Sequence, residues 1–210
     1  IHTGQALAPE RIVIVIGHQA EQTRETLDSR FGEGKLRYVV QEKQLGTAHA
    51  LMCAREEVEQ GPELLLLLSG DVPLLTVKSL KHLADLHEQH DAAVSMLTFR
   101  TDETKGYGRI IRNAEGQVLR IREHRDCNEE ELAITECNAG IYLFDSQFLF
   151  HHIDSIESSN DQAEFYLTDI VEIAARENRP VVTHIVEDPL EVMGVNDRSQ
   201  LAFLERAWQQ

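Results

Sequence analysis

The stretch that decides the fold is residues 63–74, Glu63-Leu-Leu-Leu-Leu-Leu-Ser-Gly-Asp-Val-Pro-Leu74. An uninterrupted apolar run of this length predicts a strand buried on both faces, and hence a central place in a sheet. Asp71 follows the run almost at once, after a serine and a glycine. Its carboxylate is therefore expected at the carboxyl edge of the sheet, where open α/β sheets bind polar ligands.

The segments around this stretch alternate between strand and helix patterns. Strands are predicted at 11–17, 36–40, 63–68 and 92–99, and helices at 20–27, 47–60 and 76–90. This alternation is typical of βαβ units and a parallel sheet. Residues 1–8 resemble the tail of a helix more than the opening of a domain.

The pattern changes after residue 100. Short strands are predicted at 107–111, 117–123 and 140–144, followed by a helix at 165–177, a strand at 181–186 and a helix at 199–208. The first three strands are separated by turn residues, which favours an antiparallel addition that covers the pocket.

Composition excludes several classes of function. The formal net charge is −16, which argues against nucleic-acid binding because that requires clustered Lys and Arg. No apolar run approaches the roughly 18 residues of a membrane span. The three cysteines form no C-x-x-C pair, which favours reduced thiols and a cytoplasmic protein. Pairing of Cys127 with Cys137 is the less favoured alternative.

Two motifs follow predicted strands of the first half. Gln41-Glu-Lys-Gln-Leu-Gly-Thr-Ala-His-Ala50 offers glutamine amides, which suit the edge of a nucleobase, and a glycine before a helix N-terminus, which suits an anion. Asp71 is a natural Mg²⁺ ligand for a bound nucleotide. The alternatives are a plain strand–loop–helix turn and a structural turn aspartate, and the residues alone leave both open.

Polar residues of the second half lie at predicted strand and helix ends. They are Gly108 in Gly106-Tyr-Gly-Arg-Ile110, Glu123, Asn138 in Glu136-Cys-Asn-Ala-Gly140, and Asn196. Glu123 and Asn138 could bond sugar hydroxyls or an amide, while Asn196 or Asp197 fits a helix N-cap. For each, a structural role is the alternative.

Taken in order, the motifs are far more specific than any one of them. The series is Gln41-x-x-Gln-Leu-Gly-Thr-Ala-His-Ala50, Ser69-Gly-Asp-Val-Pro-Leu74, Gly106-Tyr-Gly-Arg-Ile110, Glu123-His, Glu136-x-Asn-x-Gly140, Glu164-Phe-Tyr-Leu-Thr-Asp169 and Gly194-Val-Asn-Asp197. It resembles the uridyltransferase domain of the bacterial bifunctional enzymes that make UDP-N-acetylglucosamine, over nearly the whole chain. The resemblance implies a Rossmann-like α/β nucleotidyltransferase fold with a mostly parallel sheet and a small antiparallel sugar-binding lobe.

The resemblance also implies one domain over residues 1–210, with a nucleotide-binding part at 1–100 and a sugar-phosphate-binding part at 101–210. The implied nucleotide-binding residues are Gln41, Gln44, Gly46, Thr47 and Gly70. The implied sugar-phosphate-binding residues are Gly108, Glu123, Asn138, Tyr166 and Thr168. Asp71 matches the Mg²⁺-binding aspartate and Asn196 its partner ligand, so these two are the expected catalytic and metal-binding residues.

The implied reaction transfers UMP from UTP to N-acetylglucosamine 1-phosphate, giving UDP-N-acetylglucosamine and pyrophosphate for cell-wall precursor synthesis in the cytoplasm. Two alternatives stay open: a nucleotidyltransferase for another sugar 1-phosphate or base, and a non-catalytic nucleotide-sugar-binding relative or fragment.

The chain departs from the family pattern in three places. Ser69 stands where close relatives carry a tyrosine. The family's opening strand and glycine-rich loop are not in this sequence, so we expect that the 210-residue chain by itself does not catalyse the reaction. The C-terminal β-helix is not in this sequence either, and homo-oligomers are expected to form through that domain.

Overall fold

A computed structural model describes residues 1–59, 63–195 and 197–209 of the chain. The strands are β1 (Val13–Ile16), β2 (Arg37–Val40), β3 (Leu64–Leu67), β4 (Val94–Arg100), β5 (Arg109–Arg112), β6 (Val118–Arg122), β7 (Glu136–Asp145) and β8 (Val181–Ile185). The helices are α1 (His2–Gln5), α2 (Ala20–Phe31), α3 (Thr47–Cys53), α4 (Arg55–Val58), α5 (Val77–Gln89), α6 (Glu129–Leu132), α7 (Ser146–His152), α8 (Asp169–Arg176) and α9 (Arg198–Trp208). Short 3-10 helices are His124–Asp126, Ile153–Ser155 and Pro189–Val192.

The strands form a mixed α/β arrangement. β1 and β2 pair in parallel as a two-stranded sheet. The larger sheet has the order β6-β5-β7-β4-β8, and β3 also pairs with β7. β3 and β4 both run antiparallel to β7, and β8 runs parallel to β4. Four strands of the main sheet, β3, β4, β5 and β8, therefore share one direction, and β6 and β7 run against them.

The antiparallel lobe is smaller than the sequence pattern indicates. β5 and β6 form an antiparallel hairpin whose edge meets β7 at a single pair, Arg109 with Cys137. The strand predicted at 140–144 was expected in this lobe, but it is part of the ten-residue β7 in the middle of the main sheet. β7 is long enough to pair on one edge with β4 along most of its length, and on the other edge with the lobe near its start and with β3 at its end.

The core lies on both faces of the main sheet. In β4, Val94 and Met96 point into one apolar cluster, and Leu97 and Phe99 into the other. α5 covers the second face through residues such as Leu83, while α3, α7 and α8 cover the first. The alternation follows from the two-residue period of a strand, and it gives a three-layer α/β/α structure.

The strand predicted to be central has one strand neighbour. Within the described residues β3 pairs with β7 alone, and Leu64 is 43% exposed. The central place belongs to β4, which pairs with β7 and β8 and is buried from Val94 to Phe99. A run of leucines shows that a strand is apolar, but it does not show how many strands flank it.

Helix starts follow from local capping. Thr76 caps α5, because its hydroxyl accepts from the Ser79 amide, and Asp197 caps α9 by accepting from the Gln200 amide. The predicted cap at Thr47 is wrong: Gly46 holds the N-cap position, and Thr47 is the first helical residue. None of the described helices is long and apolar enough to cross a membrane.

Candidate functional site

The loop after β2 carries the first predicted site residue. Gln41 is only 9% exposed, and its amide Nε2 donates to the Gly46 carbonyl at 3.1 Å and to His49 Nδ1 at 2.9 Å. Gln44 is exposed and lies beside Gly17, at the end of β1. These two glutamines therefore face the carboxyl ends of β1 and β2, as predicted.

The same loop is held by the segment that precedes α8. Phe165 N donates to the Leu45 carbonyl at 2.7 Å, and Ala48 N donates to the Phe165 carbonyl at 3.0 Å. Thr47 Oγ1 accepts from Leu167 N at 3.1 Å. The Gln41–Thr47 loop of the first half is thus tied to the Phe165–Leu167 segment of the second half.

A buried acid lies at the centre of the second group. Glu123 Oε1 accepts from the Thr168 hydroxyl at 3.1 Å, and burial raises the pKa of the Glu123 carboxyl. A Cβ added at Gly108 would lie 2.9 Å from the Ile121 side chain and 3.4 Å from Glu123 Oε2. Gly108 therefore leaves room beside the carboxylate that a side chain would fill.

Asn138 is fixed in the neighbouring strand. Its main-chain N donates to the Gly108 carbonyl at 2.9 Å, which sets it beside Gly108. Its side-chain Nδ2 donates to the Tyr142 hydroxyl at 2.6 Å, and its Oδ1 accepts from Gly140 N at 3.0 Å. One Nδ2 hydrogen and one Oδ1 lone pair remain for a ligand.

A cavity of about 390 Å³ opens beside this group. Its lining includes Glu123, Asp126, Tyr166, Asp169 and Arg122. Tyr166 is buried, and its hydroxyl accepts from Gln162 Nε2 at 2.7 Å. The cavity is lined mainly by polar and charged side chains, and of the residues predicted to bind the sugar phosphate its lining includes Glu123 and Tyr166.

Asp71 lies in the turn after β3 and is exposed. Its carbonyl accepts from Val195 N at 2.9 Å, and the Asp71 charge adds to the burial that raises the pKa of Tyr107. Among the described residues, no hydrogen bond or ion pair engages its carboxylate. Asn196, which follows Val195 in sequence, lies outside the described residues, and its role as a metal ligand stays a prediction.

The donor set at Asp71 suits a divalent cation. An exposed carboxylate without a bonded partner in the described chain offers the oxygen ligand that Mg²⁺ prefers. The described residues contain no group of three or more His, Cys, Asp or Glu side chains that could hold a metal by themselves. A cation at Asp71 would therefore depend on substrate oxygens and water for most of its ligands.

Ser69 links the Asp71 turn to the strand that carries Asn138. Its hydroxyl donates to the Gly140 carbonyl at 3.0 Å, next to Asn138. The predicted residues thus form one connected series, from Asp71 through Asn138 and Glu123 to Thr47 and Gln41. Gly70 lies between Ser69 and Asp71, and an added Cβ there would meet nothing within 4 Å.

Sequence reasoning missed three side chains that hold the site together. Tyr142 lies four residues after Asn138 on β7, and strand alternation places the two on one face. His49 bonds Gln41 from the first turn of α3. Arg109, only 1% exposed, donates to the Tyr107 carbonyl and to Thr104 Oγ1. A buried arginine has no sequence signal, because arginine is rarely fully buried.

Comparisons with known proteins agree with this arrangement. Residues 2–208 match the family model described as Nucleotidyl transferase. The Bifunctional protein GlmU of Trichlorobacter lovleyi is 46% identical over 201 residues, which cover 95% of this chain and 43% of that protein. The Bifunctional protein GlmU of Corynebacterium diphtheriae is 42% identical over 204 residues, which cover 96% of this chain and 42% of that protein.

A solved structure shares the fold at low sequence identity. The crystal structure of UDP-glucose pyrophosphorylase complexed with UDP-glucose superposes with a TM-score of 0.72 at 15% identity, covering 99% of this chain and 84% of that one. The chain spans less than half the length of the curated relatives it matches.

Proposed function

Because the chain belongs to the nucleotidyl transferase family, we propose that it is the uridyltransferase part of an enzyme that makes UDP-N-acetylglucosamine. The observation that carries the proposal is a pair of hydrogen bonds at adjacent residues: Leu167 N donates to Thr47 Oγ1 in the Gln41–Thr47 loop, and the Thr168 hydroxyl donates to Glu123. A base-binding loop and a sugar pocket joined in this way suit a nucleotide-sugar.

The proposed reaction joins two phosphates. A phosphate oxygen of N-acetylglucosamine 1-phosphate attacks the α-phosphorus of UTP, the bond between the α-phosphorus and the bridging oxygen breaks, and pyrophosphate leaves. The chain's residues mainly position the two substrates. Gln41 holds the base, and Glu123, Asn138 and Thr168 hold the sugar. The attacking oxygen, the α-phosphorus and the leaving oxygen are thereby aligned.

Nucleotidyltransferases generally use a divalent metal ion, and we propose Mg²⁺ held by Asp71, with Asn196 as its second protein ligand. When bound, the ion neutralises phosphate charge and stabilises the charge that develops on the leaving group. Asp71 suits this role because its strand fixes the backbone before it and its carboxylate is exposed.

Three free cysteines, Cys53, Cys127 and Cys137, favour a reducing compartment, so we place the activity in the cytoplasm. UDP-N-acetylglucosamine made there would supply cell-wall precursor synthesis.

The sugar assignment is tested by ligand affinity. Native chain should bind UDP-N-acetylglucosamine more tightly than UDP-glucose in titration calorimetry. Glu123→Ala should weaken binding of UDP-N-acetylglucosamine by roughly tenfold, since a hydrogen bond to a charged group contributes about 1.5–3 kcal/mol, and should leave UTP affinity almost unchanged. Equal losses of affinity for UDP-N-acetylglucosamine and UTP in Glu123→Ala would contradict the assignment of Glu123 to the sugar. Tighter binding of UDP-glucose by the native chain would point to a different sugar.

The metal assignment is tested at Asp71. Asp71→Asn should abolish the gain in UTP affinity that Mg²⁺ gives the native chain, and should leave the unfolding temperature without ligand unchanged. In the enzyme that contains the chain, pyrophosphate release should fall by roughly two orders of magnitude or more. A structural turn aspartate would show the reverse: a loss of about 1 kcal/mol of stability and near-normal turnover.

A further inference from the structure

The amide of Gln41 is fixed in one orientation. Its Nε2 faces the Gly46 carbonyl at 3.1 Å and His49 Nδ1 at 2.9 Å. A carbonyl oxygen only accepts, so the nitrogen of the amide must point towards it, and the opposite orientation would set two oxygens against each other. Because Nε2 only donates, His49 Nδ1 must be the ring nitrogen without a proton.

This arrangement uses both hydrogens of the Gln41 amide. One is donated to Gly46 and the other to His49, so no donor is left for a ligand. Oε1 has no hydrogen-bond partner in the described part of the chain. Gln41 therefore offers a ligand an acceptor only, from a residue that is 9% exposed.

His49 is itself held in place. It lies in the first turn of α3, its ring stacks on Phe165 at a centroid distance of 6.4 Å, and Cys53 Sγ lies 3.9 Å from its ring nitrogens. The backbone that carries the Phe165 ring is bonded to the same loop at Leu45 and Ala48. The ring is thus packed where it keeps Nδ1 aimed at the glutamine.

We propose that His49 is a positioning residue that sets base selectivity through Gln41. The proposal rests on the proposed function, in which Gln41 meets the base. Uracil carries a hydrogen on N3 and can donate to Oε1. Cytosine has a bare N3, which also accepts, and would meet Oε1 with two acceptors opposed. The fixed amide therefore selects uracil, and without His49 the amide is freer to turn and present its nitrogen to cytosine.

The test measures the ratio of UTP to CTP affinity by titration calorimetry on the full chain. His49→Phe keeps a ring to stack on Phe165 but lacks the acceptor nitrogen, and it should reduce the ratio by roughly fivefold, the worth of one hydrogen bond. His49→Asn can place an oxygen near the position of Nδ1 and should keep the ratio within about twofold of native. Gln41→Met gives the ratio expected when the base is not selected at all.

The possible outcomes distinguish a failure of the proposed function from a failure of the role of His49 alone. A native chain that shows no preference for UTP overturns the proposed function, and this inference with it. A native preference that Gln41→Met removes but His49→Phe leaves unchanged overturns the role of His49 alone. His49→Phe could lower the unfolding temperature so far that its nucleotide affinities cannot be measured. In that case, a folded His49→Asn variant that loses the preference for UTP over CTP overturns the proposed role of His49.

Discussion

Asp169 shows how the surroundings of one carboxyl change its chemistry. It begins α8 and, with Glu172, lines the cavity beside Glu123. Burial, reinforced by the charge of Glu172, raises the pKa of Asp169 to about 6, and Arg122 and Arg176 only partly oppose the shift. Burial also raises the pKa of Glu123 in the same cavity. The cavity therefore holds two carboxyl groups whose pKa is raised by burial.

The first prediction concerns stability against pH. The folded pKa of Asp169 lies above its unfolded value of about 3.9, so the unfolded chain releases this proton first. The contribution of Asp169 to stability is present below about pH 4 and is lost as pH rises to about 6. Asp169→Asn should therefore be more stable than native at pH 7.5, by on the order of 1 kcal/mol, because partial exposure to solvent screens the charge.

Urea unfolding of both proteins from pH 4 to pH 8 measures this difference, which should shrink towards pH 4. Asp85→Asn, at an exposed position on α5, is the control and should show no such trend. A difference between Asp169→Asn and native that stays constant with pH would exclude burial of the charge as its cause.

At the scale of residues, the sequence predicted where a residue lies on its strand or loop better than which residues it contacts. Asp71 was predicted at the carboxyl end of a strand, and it lies there, because an apolar run followed by Ser-Gly-Asp fixes the point where the strand ends. His49 and Arg109 could not be predicted, because their partners lie on loops whose path depends on the whole fold.

Among the elements, the loop between β2 and α3 joins the two halves of the site. Gly46 has a φ of +107°, and a Cβ there would lie 2.5 Å from Phe165 O and 2.8 Å from Phe165 N. Only glycine allows the loop to approach the segment before α8 so closely. The hydrogen bonds from Phe165 and Ala48 depend on that approach.

Gly46→Ala should therefore separate the loop from Phe165 and lower both stability and UTP affinity. The matched control is Gly34→Ala, which has a φ of +75° but no atom within 4 Å of the added Cβ. Gly34→Ala should cost about 1–2 kcal/mol, from backbone conformation alone. Gly46→Ala should cost clearly more, because a collision with backbone is added. If chemical unfolding gives equal losses of stability for Gly46→Ala and Gly34→Ala, the close approach of the loop to Phe165 contributes nothing to stability.

The periodicity of the sequence predicts which segments are strands and which are helices, but it does not predict which strands are neighbours in the sheet. Every strand predicted in the first half is present within a few residues, because apolar runs bounded by glycine or polar turns are local signals. The placement of β7 was wrong, since a strand in mid-sheet and a strand in a small lobe can both be apolar. Pairing of β7 with β3 joins residues about 75 apart in sequence, which no local pattern records.

At the scale of the whole molecule, both apolar clusters draw on both halves of the chain. One contains Val94 and Met96 together with Phe144 and Ile170. The other packs Leu80, Leu83 and Leu97 of the first half against Ile141, Leu143 and Val186 of the second. The core therefore crosses the division at residue 100 that the resemblance implies.

The last prediction follows from that shared core. Residues 1–100 lack β7, so β3 and β4 would lose the strand that joins them, and residues 101–210 would leave one edge of β8 and both edges of the second half of β7 unpaired. Neither fragment can bury enough apolar surface to offset its chain entropy. Each should give no cooperative transition in urea by circular dichroism, while the whole chain should unfold in one. A cooperative transition in either fragment would show that the halves are separate folding units and would refute the single shared core.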